Sequence, residues 1–411
     1  MSGISRAAKA AILVSALGYF VDIYDLLLFL IVRKPSLASL GIPDTGLAEY
    51  LFSIQMAGML VGGIFWGVLG DKKGRLSVLF GSITMYSLAN IANAFITNIE
   101  QYAILRFVAG IGLAGELGAG VTLVSELMPK DKRGYGTMIV AGFGIFGAVA
   151  ASLIGKFLTW QTAYIIGGVG GIALLLLRIG VTESGMFEKV LQHDVARGSF
   201  LSLFANRARA FKYLNCILIG VPLWFVVGIL IGRADKFGAA QHALFTPDPG
   251  IAIGITYFTL ALGDFVAGAL SQFIGSRKKI VLYWQLMNIV AITLFLLSSG
   301  YSEVYFYGFC AVLGFINGYW AVFVTIAAEQ FGTNIRSTVT TTVPNFVRGS
   351  VSVMTPLFLF LTGKFGKSAN DLSGMIPAAF IVGAIAFLLA LWALSGLEES
   401  HGKDLDYNEV A

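Results

Sequence analysis

Two aspartates, Asp22 and Asp25, stand three residues apart inside the apolar run AAILVSALGYFVDIYDLLLFLIV. In a helix that spacing puts both on one face. A single carboxylate at bilayer depth costs about 2.5 to 3.5 kcal/mol on the insertion scale, so an embedded pair calls for a function. Loading and releasing protons is the chemistry that suits such acids. Arg106 and Glu116 occupy a second apolar stretch, and Asp264 and Arg348 two more. Asp22 and Glu116 fall near the midpoints of their runs, whereas Asp25 and Arg106 are both displaced toward the same end. Two carboxylates in one cavity do not both ionise cheaply, while an acid beside an Arg stays charged. Asp22 or Glu116 is therefore expected to exchange the proton, and Asp25 to stay ionised against Arg106. Purely structural pairing is the alternative for all four.

Asp264 and Arg348 are expected at similar depth, close enough to bond each other. The planar fork of Arg348 also suits a carboxylate or phosphate on a substrate. Polar or amphipathic groups inside other apolar runs are Tyr19, Gln55, Asn90, Asn93, Trp224, Asn317, Tyr319 and Trp320. Such groups bind substrates or join helix to helix. Tyr19, Arg348, Asp264, Asn317, Trp320, Trp224 and Gln55 make up the candidate substrate site, with Asn317 and Trp320 on one helical face.

The elements that must hold these residues follow from composition. Of 411 residues, 57% are hydrophobic and 12% charged, against about a quarter charged in soluble proteins. The chain is an integral membrane protein. Apolar runs long enough to span fall near 9 to 33, 48 to 69, 77 to 97, 102 to 128, 135 to 158, 160 to 180, 211 to 233, 250 to 275, 280 to 300, 304 to 331, 337 to 363 and 373 to 397. The fold class is all-α, with twelve transmembrane helices. Arg6 and Lys9 precede an apolar stretch too long for a signal peptide, so a retained helix is expected. Three His, none inside a span, argue against a metal or an enzyme, and no cofactor is expected. Cys216 and Cys310 both lie in apolar runs, which disfavours a disulfide.

The chain divides into residues 1–180, a polar linker at 181–210 with a short surface helix, and residues 211–411. The two parts repeat each other. GMLVGGIFWGVLGDKKGRL aligns with GDFVAGALSQFIGSRKKIV at an offset of 205, and SELMPKDKRGYGT with AEQFGTNIRSTVT at 203. Glu126 and Arg133 thus correspond to Glu329 and Arg336, and pseudo-symmetric six-helix bundles with the binding site between them are expected. Nineteen basic residues fall on the side of the termini and seven on the other, which places both termini in the cytoplasm. The charge of +5 is thereby a membrane signal and not one for nucleic acid.

The loop GVLGDKKGR resembles the signature between helices 2 and 3 of the major facilitator superfamily, through Gly67, Asp71, Lys72, Gly74 and Arg75, with Leu76 where a basic residue is usual. RFVAGIGLAGELGAGVTLVSELMPKDKRG is similar to helix 4 and its exit loop in the metabolite:proton symporter and sugar-porter branches. The resemblance implies a rocker-switch carrier, with helices 1, 4, 7 and 10 lining the cavity and with Asp22 or Asp25 and Arg106 coupling protons. It also implies a cytoplasmic gate of Asp71, Arg75, Glu126, Arg133, Glu329 and Arg336. As exposed pairs these would each contribute about 0.2 to 1 kcal/mol. The Gly-Pro motif of drug antiporters is absent from AGFGIFGAVAAS.

The sequence therefore points to a secondary active transporter of a small polar metabolite, an organic acid, amino acid or betaine-like zwitterion, imported with protons across a bacterial-type inner membrane. The partners expected are that substrate, protons and lipid, with the chain a monomer. A proton-coupled exporter, an uncoupled facilitator and a membrane sensor on the same fold are the alternatives.

Overall fold

The structure, a computed structural model, describes residues 5–42, 47–130, 132–179, 181–191, 197–366 and 372–409. Long helices form spans 1 (Arg6–Ser39), 2 (Leu47–Lys73), 3 (Arg75–Asn93), 4 (Ile99–Leu127), 5 (Arg133–Phe157) and 6 (Trp160–Leu177). Spans 7 (Arg207–Ala240), 8 (Pro249–Ile274), 9 (Arg277–Leu297), 10 (Glu303–Glu329), 11 (Arg336–Phe365) and 12 (Leu372–Ser395) follow. Eleven of these are long and apolar enough to cross a membrane. Span 3 has 19 residues but is more polar, because it carries Asn90 and Asn93. Side-chain oxygens start several of them: Ser5, Asn98, Thr159, Asp248 and Ser276 each accept from a backbone N–H in the first turn.

Lipid-facing surfaces carry Phe65, Leu88, Leu153, Leu176, Phe273 and Leu388, all exposed. The charge is inside. Arg75, Arg106, Arg133, Arg178, Arg277, Arg336 and Arg348 are among the largest fully buried side chains. Each must find partners, since an isolated buried charge is prohibitive.

Spans 1–6 and 7–12 meet chiefly through span 5 against 8 and span 2 against 11. Glycine sets the closeness of the second contact. A Cβ on Gly67 would lie 2.8 Å from the Thr338 Cα, so span 2 and span 11 touch backbone to backbone. Spans 4 and 10 each break near mid-length, between Leu113 and Glu116 and between Ile316 and Trp320. Under the 203-residue offset these breaks coincide. Span 7 is the least regular: after Pro222 it passes through a π-helical stretch, Phe225–Leu230, and a 3₁₀ turn, Ile231–Arg233. Proline removes a helix donor, and π-turns inside helices often accompany function.

Candidate functional site

Between the two halves lies a central cavity of about 30 Å³, room for a water or two. From the first half Tyr19 and Ile23 of span 1 and Ile145 of span 5 line it. From the second come Leu223, Trp224 and Val227 of span 7, Tyr257 and Leu260 of span 8, Asn317 and Trp320 at the break of span 10, and Arg348 of span 11. Five of the seven candidate substrate residues, Tyr19, Trp224, Asn317, Trp320 and Arg348, thus share one wall-to-wall space. Asp264 and Gln55 do not line it. Span 4, expected to face the cavity, contributes nothing to its lining, and spans 5, 8 and 11 do instead.

Arg348 is the hub. Its Nη2 lies 3.6 Å from Asp22 Oδ2 and donates to the Tyr19 hydroxyl at 3.2 Å, while Nη1 donates to Asn345 at 3.4 Å. Its guanidinium also sits over Trp320, 5.6 Å from the ring centroid. The ion pair joins the halves, for Asp22 belongs to span 1 and Arg348 to span 11. The expected bond between Asp264 and Arg348 is not formed. Asp264 Oδ1 instead accepts from the Ala321 N–H at 3.0 Å, capping the second piece of span 10 at the break its backbone left open. Within the cavity wall, Asn317 donates to the Leu223 carbonyl at 3.1 Å. Asn317 Oδ1 and Trp320 Nε1 have no hydrogen-bond partner among the described residues. They are free to bond something in the cavity.

The other intramembrane charges lie behind span 1, inside the first half. Arg106 donates to Asn90 at 2.7 Å and Asn93 at 3.3 Å and rests 4.8 Å from the Tyr164 ring centroid. Asp25 lies against Gly167 of span 6, fully buried, and neither oxygen has a hydrogen-bond partner among the described residues. It makes no direct ion pair with Arg106 there. Neither Glu116 nor Asp22 lines the cavity. Arg178, at the end of span 6, clasps Glu116 with two bonds of 3.0 and 2.6 Å, and Ser82 adds a third at 2.9 Å. Gln55 is buried with its amide unpartnered among the described residues. Arg178 was invisible as a partner because it reads as a loop cation.

The face that carries the termini is closed by a buried network. Glu126 accepts from Arg75 at 2.7 Å, from Arg336 at 3.0 Å and from Ser184. Asp71 lies 3.8 Å from Arg75 and caps the start of span 11, accepting from the Ser337 N–H at 2.9 Å, the Thr338 N–H at 2.8 Å and the Thr338 hydroxyl at 2.6 Å. Arg75, Arg336, Asp71 and Glu126 sit at full or nearly full burial, so they are not the exposed pairs expected. Thr122 to Thr340, at 2.5 Å, and Thr137 to Thr325, at 2.7 Å, add hydroxyl pairs between the halves.

The repeat reappears here in atomic detail. Arg133 Nε donates to the Ser125 carbonyl at 2.8 Å, and Arg336 Nε to the Ala328 carbonyl at 3.2 Å, donor and acceptor both offset by 203. Glu329 is held at 3.4 Å by Arg277 and at 2.8 Å by Ser400. Arg277 and Ser400 thus serve Glu329 as Arg75 and Ser184 serve Glu126. A Glu-Ser dipeptide follows each sixth span, and its Glu caps the neighbouring third or ninth: Glu183 accepts from the Leu76 N–H, Glu399 from the Arg277 N–H. That recurring pair was a signal the linker reading passed over. The tail beyond it crosses this buried network. Leu405 is fully buried, and its carbonyl accepts from Arg336 at 2.6 Å and from Thr333 at 2.9 Å.

The sequence matches the model of the Major Facilitator Superfamily over residues 11–341, and the chain belongs to that family. Among curated relatives it is 26% identical over 339 residues to a probable 4-methylmuconolactone transporter of Cupriavidus pinatubonensis, covering 78% of this chain and 76% of that one. To the sialic acid transporter NanX of Escherichia coli it is 25% identical over 283 residues, 65% and 69% of the two chains. Among solved structures, the proton:xylose symporter XylE bound to 6-bromo-6-deoxy-D-glucose superposes with a TM-score of 0.72 at 16% identity, covering 97% of this chain and 98% of that one. The protein is a transporter and not an enzyme.

Proposed function

We propose that this transporter moves a small organic acid into the cell together with protons, with both termini in the cytoplasm and residues 1–180 and 211–411 rocking about the central cavity. The observation that carries the reading is the pair between Asp22 and Arg348, the arginine lining the cavity and the aspartate buried behind it at 3.6 Å. One guanidinium is available there to two carboxylates. When Asp22 takes a proton it gives up its claim on Arg348, whose fork then receives the carboxylate of the substrate. Trp320 and Tyr19 beside Arg348 offer ring faces to the rest of the molecule. After the switch, loss of the proton from Asp22 restores the ion pair and displaces the substrate. Uphill entry then follows from the proton gradient. Asp25 and Glu116, held away from the cavity, serve to fix span 1 and span 4 or to relay the proton to Asp22. The relatives that carry organic acids support the substrate class, and the buried gate supplies an inner seal that must open once per cycle.

The test begins with a thermal-shift screen of organic acids, amino acids and betaines on the purified protein, since a ligand stabilises the state it binds. The best hit is then followed in proteoliposomes under an inward proton gradient. Accumulation abolished by a protonophore, and lost in Asp22→Asn while exchange persists, is the expected result. Accumulation only against an outward-directed counterflow of protons identifies an exporter, uptake indifferent to the protonophore a facilitator, and absence of counterflow a sensor; each of these overturns the proposal.

A further inference from the structure

The segment after span 12 is bonded to both halves of the molecule, and not in the same way. On the second half it lies along residues 332–334. The Thr333 N–H donates to the Tyr407 carbonyl at 2.8 Å, the Glu409 N–H donates to Asn334 Oδ1 at 2.9 Å, and the Asn334 amide returns a bond to the Glu409 carbonyl at 3.1 Å. The approach is so close that a Cβ on Gly332 would come within 2.6 Å of the Glu409 nitrogen. Ser400 and the Leu405 carbonyl add the buried bonds to Glu329, Arg336 and Thr333. Buried bonds of this kind are screened little by salt.

Its hold on the first half is of another kind. Lys130 pairs with Asp404 at 2.6 Å and Lys189 with Asp406 at 2.7 Å, while Arg133 Nη1 reaches the Lys403 carbonyl only at 3.3 Å. Lys189 counts with the first half because its short helix, Gly185–Leu191, is fastened there. Glu183 accepts from the Leu76 N–H, Ser184 bonds Glu126, and the Phe187 ring centroid lies 4.7 Å from the Arg75 guanidinium. In both ion pairs every side chain is 44% exposed or more. Lys130 holds the Asp404 carboxyl below its usual range and Asp406 holds the Lys189 ammonium above its own, so both pairs are charged at neutral pH. Exposed pairs weaken as salt rises, because the Debye length falls from about 10 Å at 0.1 M to about 3 Å at 1 M.

We infer that residues 397–409 form a strap that travels with the second half and holds the first through ion pairs loosened by salt on the side of the termini. This rests on the reading of two rocking halves and is independent of the substrate. Rising ionic strength on that side releases Asp404 and Asp406 from their lysines and lets the closed face open more often. The firm bonds to residues 332–336 keep the strap in register, so the pairs re-form when salt falls. The opening step is thereby a sensor of ionic strength.

The test reads opening and not transport. Thr341 is fully buried where span 11 meets Gly118 of span 4, and Cys216 and Cys310 are fully buried too, so Thr341→Cys reports opening over a low background. The full chain is placed in nanodiscs and labelled with N-ethylmaleimide, a neutral reagent whose approach salt does not steer. Labelling should accelerate about threefold between about 50 and about 500 mM KCl. Lys130→Gln with Lys189→Gln, made on the same reporter, should label about threefold faster at the low salt and lose the salt dependence. Exchanging the charges, Lys130→Asp with Asp404→Lys, should restore slow labelling and its response to salt, whereas Lys130→Asp alone should not. Screening of the other charges on that face acts alike in every variant and leaves the difference intact. Equal rates with and without the two lysines, or a salt response that survives their removal, overturn the strap. Ready labelling of the reporter that ignores salt overturns the strap alone. A reporter that labels at no salt concentration, although the denatured protein does, overturns the rocking reading and the strap with it.

Discussion

At the gate Glu126 satisfies two arginines and a serine, and Asp71 takes three donors from one helix end. In the membrane interior Glu116 is likewise clasped, but Asp22 meets Arg348 only at 3.6 Å, and Asp25, Gln55, Asn317 Oδ1 and Trp320 Nε1 find no hydrogen-bond partner among the described residues. Buried polar groups that are fully paired specify one arrangement, while underpaired ones cost energy and are poised to accept another partner. The network near the termini is built to hold one arrangement, and the cavity wall leaves polar atoms open to a partner. Symmetry separates them as well. The clasp of Arg and Ser on Glu occurs in both halves, at Glu126 and at Glu329, whereas the cavity takes Arg348 from one half and Tyr19 from the other.

Breaking that network should have the largest effect. Glu126→Gln leaves Arg75 and Arg336 buried without their shared counter-charge, a change that costs about 3 to 5 kcal/mol. The expected outcome is a lowered unfolding midpoint, together with fast labelling of a Thr341→Cys reporter from the side of the termini. By contrast, Asp22→Asn should lower the midpoint by less than Glu126→Gln does, because it removes one ion pair at 3.6 Å with no hydrogen bond instead of two at 2.7 and 3.0 Å. Equal destabilisation by both would erase the distinction.

Arg348→Lys comes next, with a loss of roughly a hundredfold in uptake at near-normal surface level, since an ammonium cannot reproduce a fork that meets Asp22, Tyr19 and Asn345 together. Initial rates set against quantified protein check it. Leu405→Ala sharpens the part played by the tail. Emptying this fully buried position is expected to weaken the closed gate by about 2 kcal/mol, read as faster Thr341→Cys labelling without loss of folding. Smallest is Thr122→Val, which removes one hydroxyl pair with Thr340 and should accelerate the same labelling by a factor of about five, equivalent to about 1 kcal/mol.

The spans were legible because a helix crossing lipid must hide every backbone group within itself and expose apolar side chains, and both demands leave long hydrophobic runs. The breaks in spans 4 and 10 were not, for GLAGELG and FINGYW remain apolar enough to read as continuous helix. Residues of the cavity could be listed from their polarity inside such runs, and Tyr19, Trp224, Asn317, Trp320 and Arg348 do converge. Their pairing could not. Which carboxylate meets Arg348 depends on how span 1 of one half docks against span 11 of the other, a rigid-body matter that local sequence does not encode. Glu116 illustrates the same limit, because its partner Arg178 lies just past the end of span 6 and reaches back. At the gate the acids and arginines carried family-like spacing, but burial, Arg277, the two Glu-Ser clasps and the tail came from chain segments that look like ordinary polar loops.

In the proposed cycle a proton on Asp22 and a carboxylate on the substrate take turns at Arg348. Proton exchange on binding tests it most directly: the best organic acid from the screen is added to purified protein in weakly buffered solution, and the pH change is recorded. Uptake of about one proton per substrate bound is expected at a pH where free Asp22 is ionised, and none in Asp22→Asn, which should still bind. Binding without proton uptake in the unmodified protein, or undiminished uptake in Asp22→Asn, would contradict it.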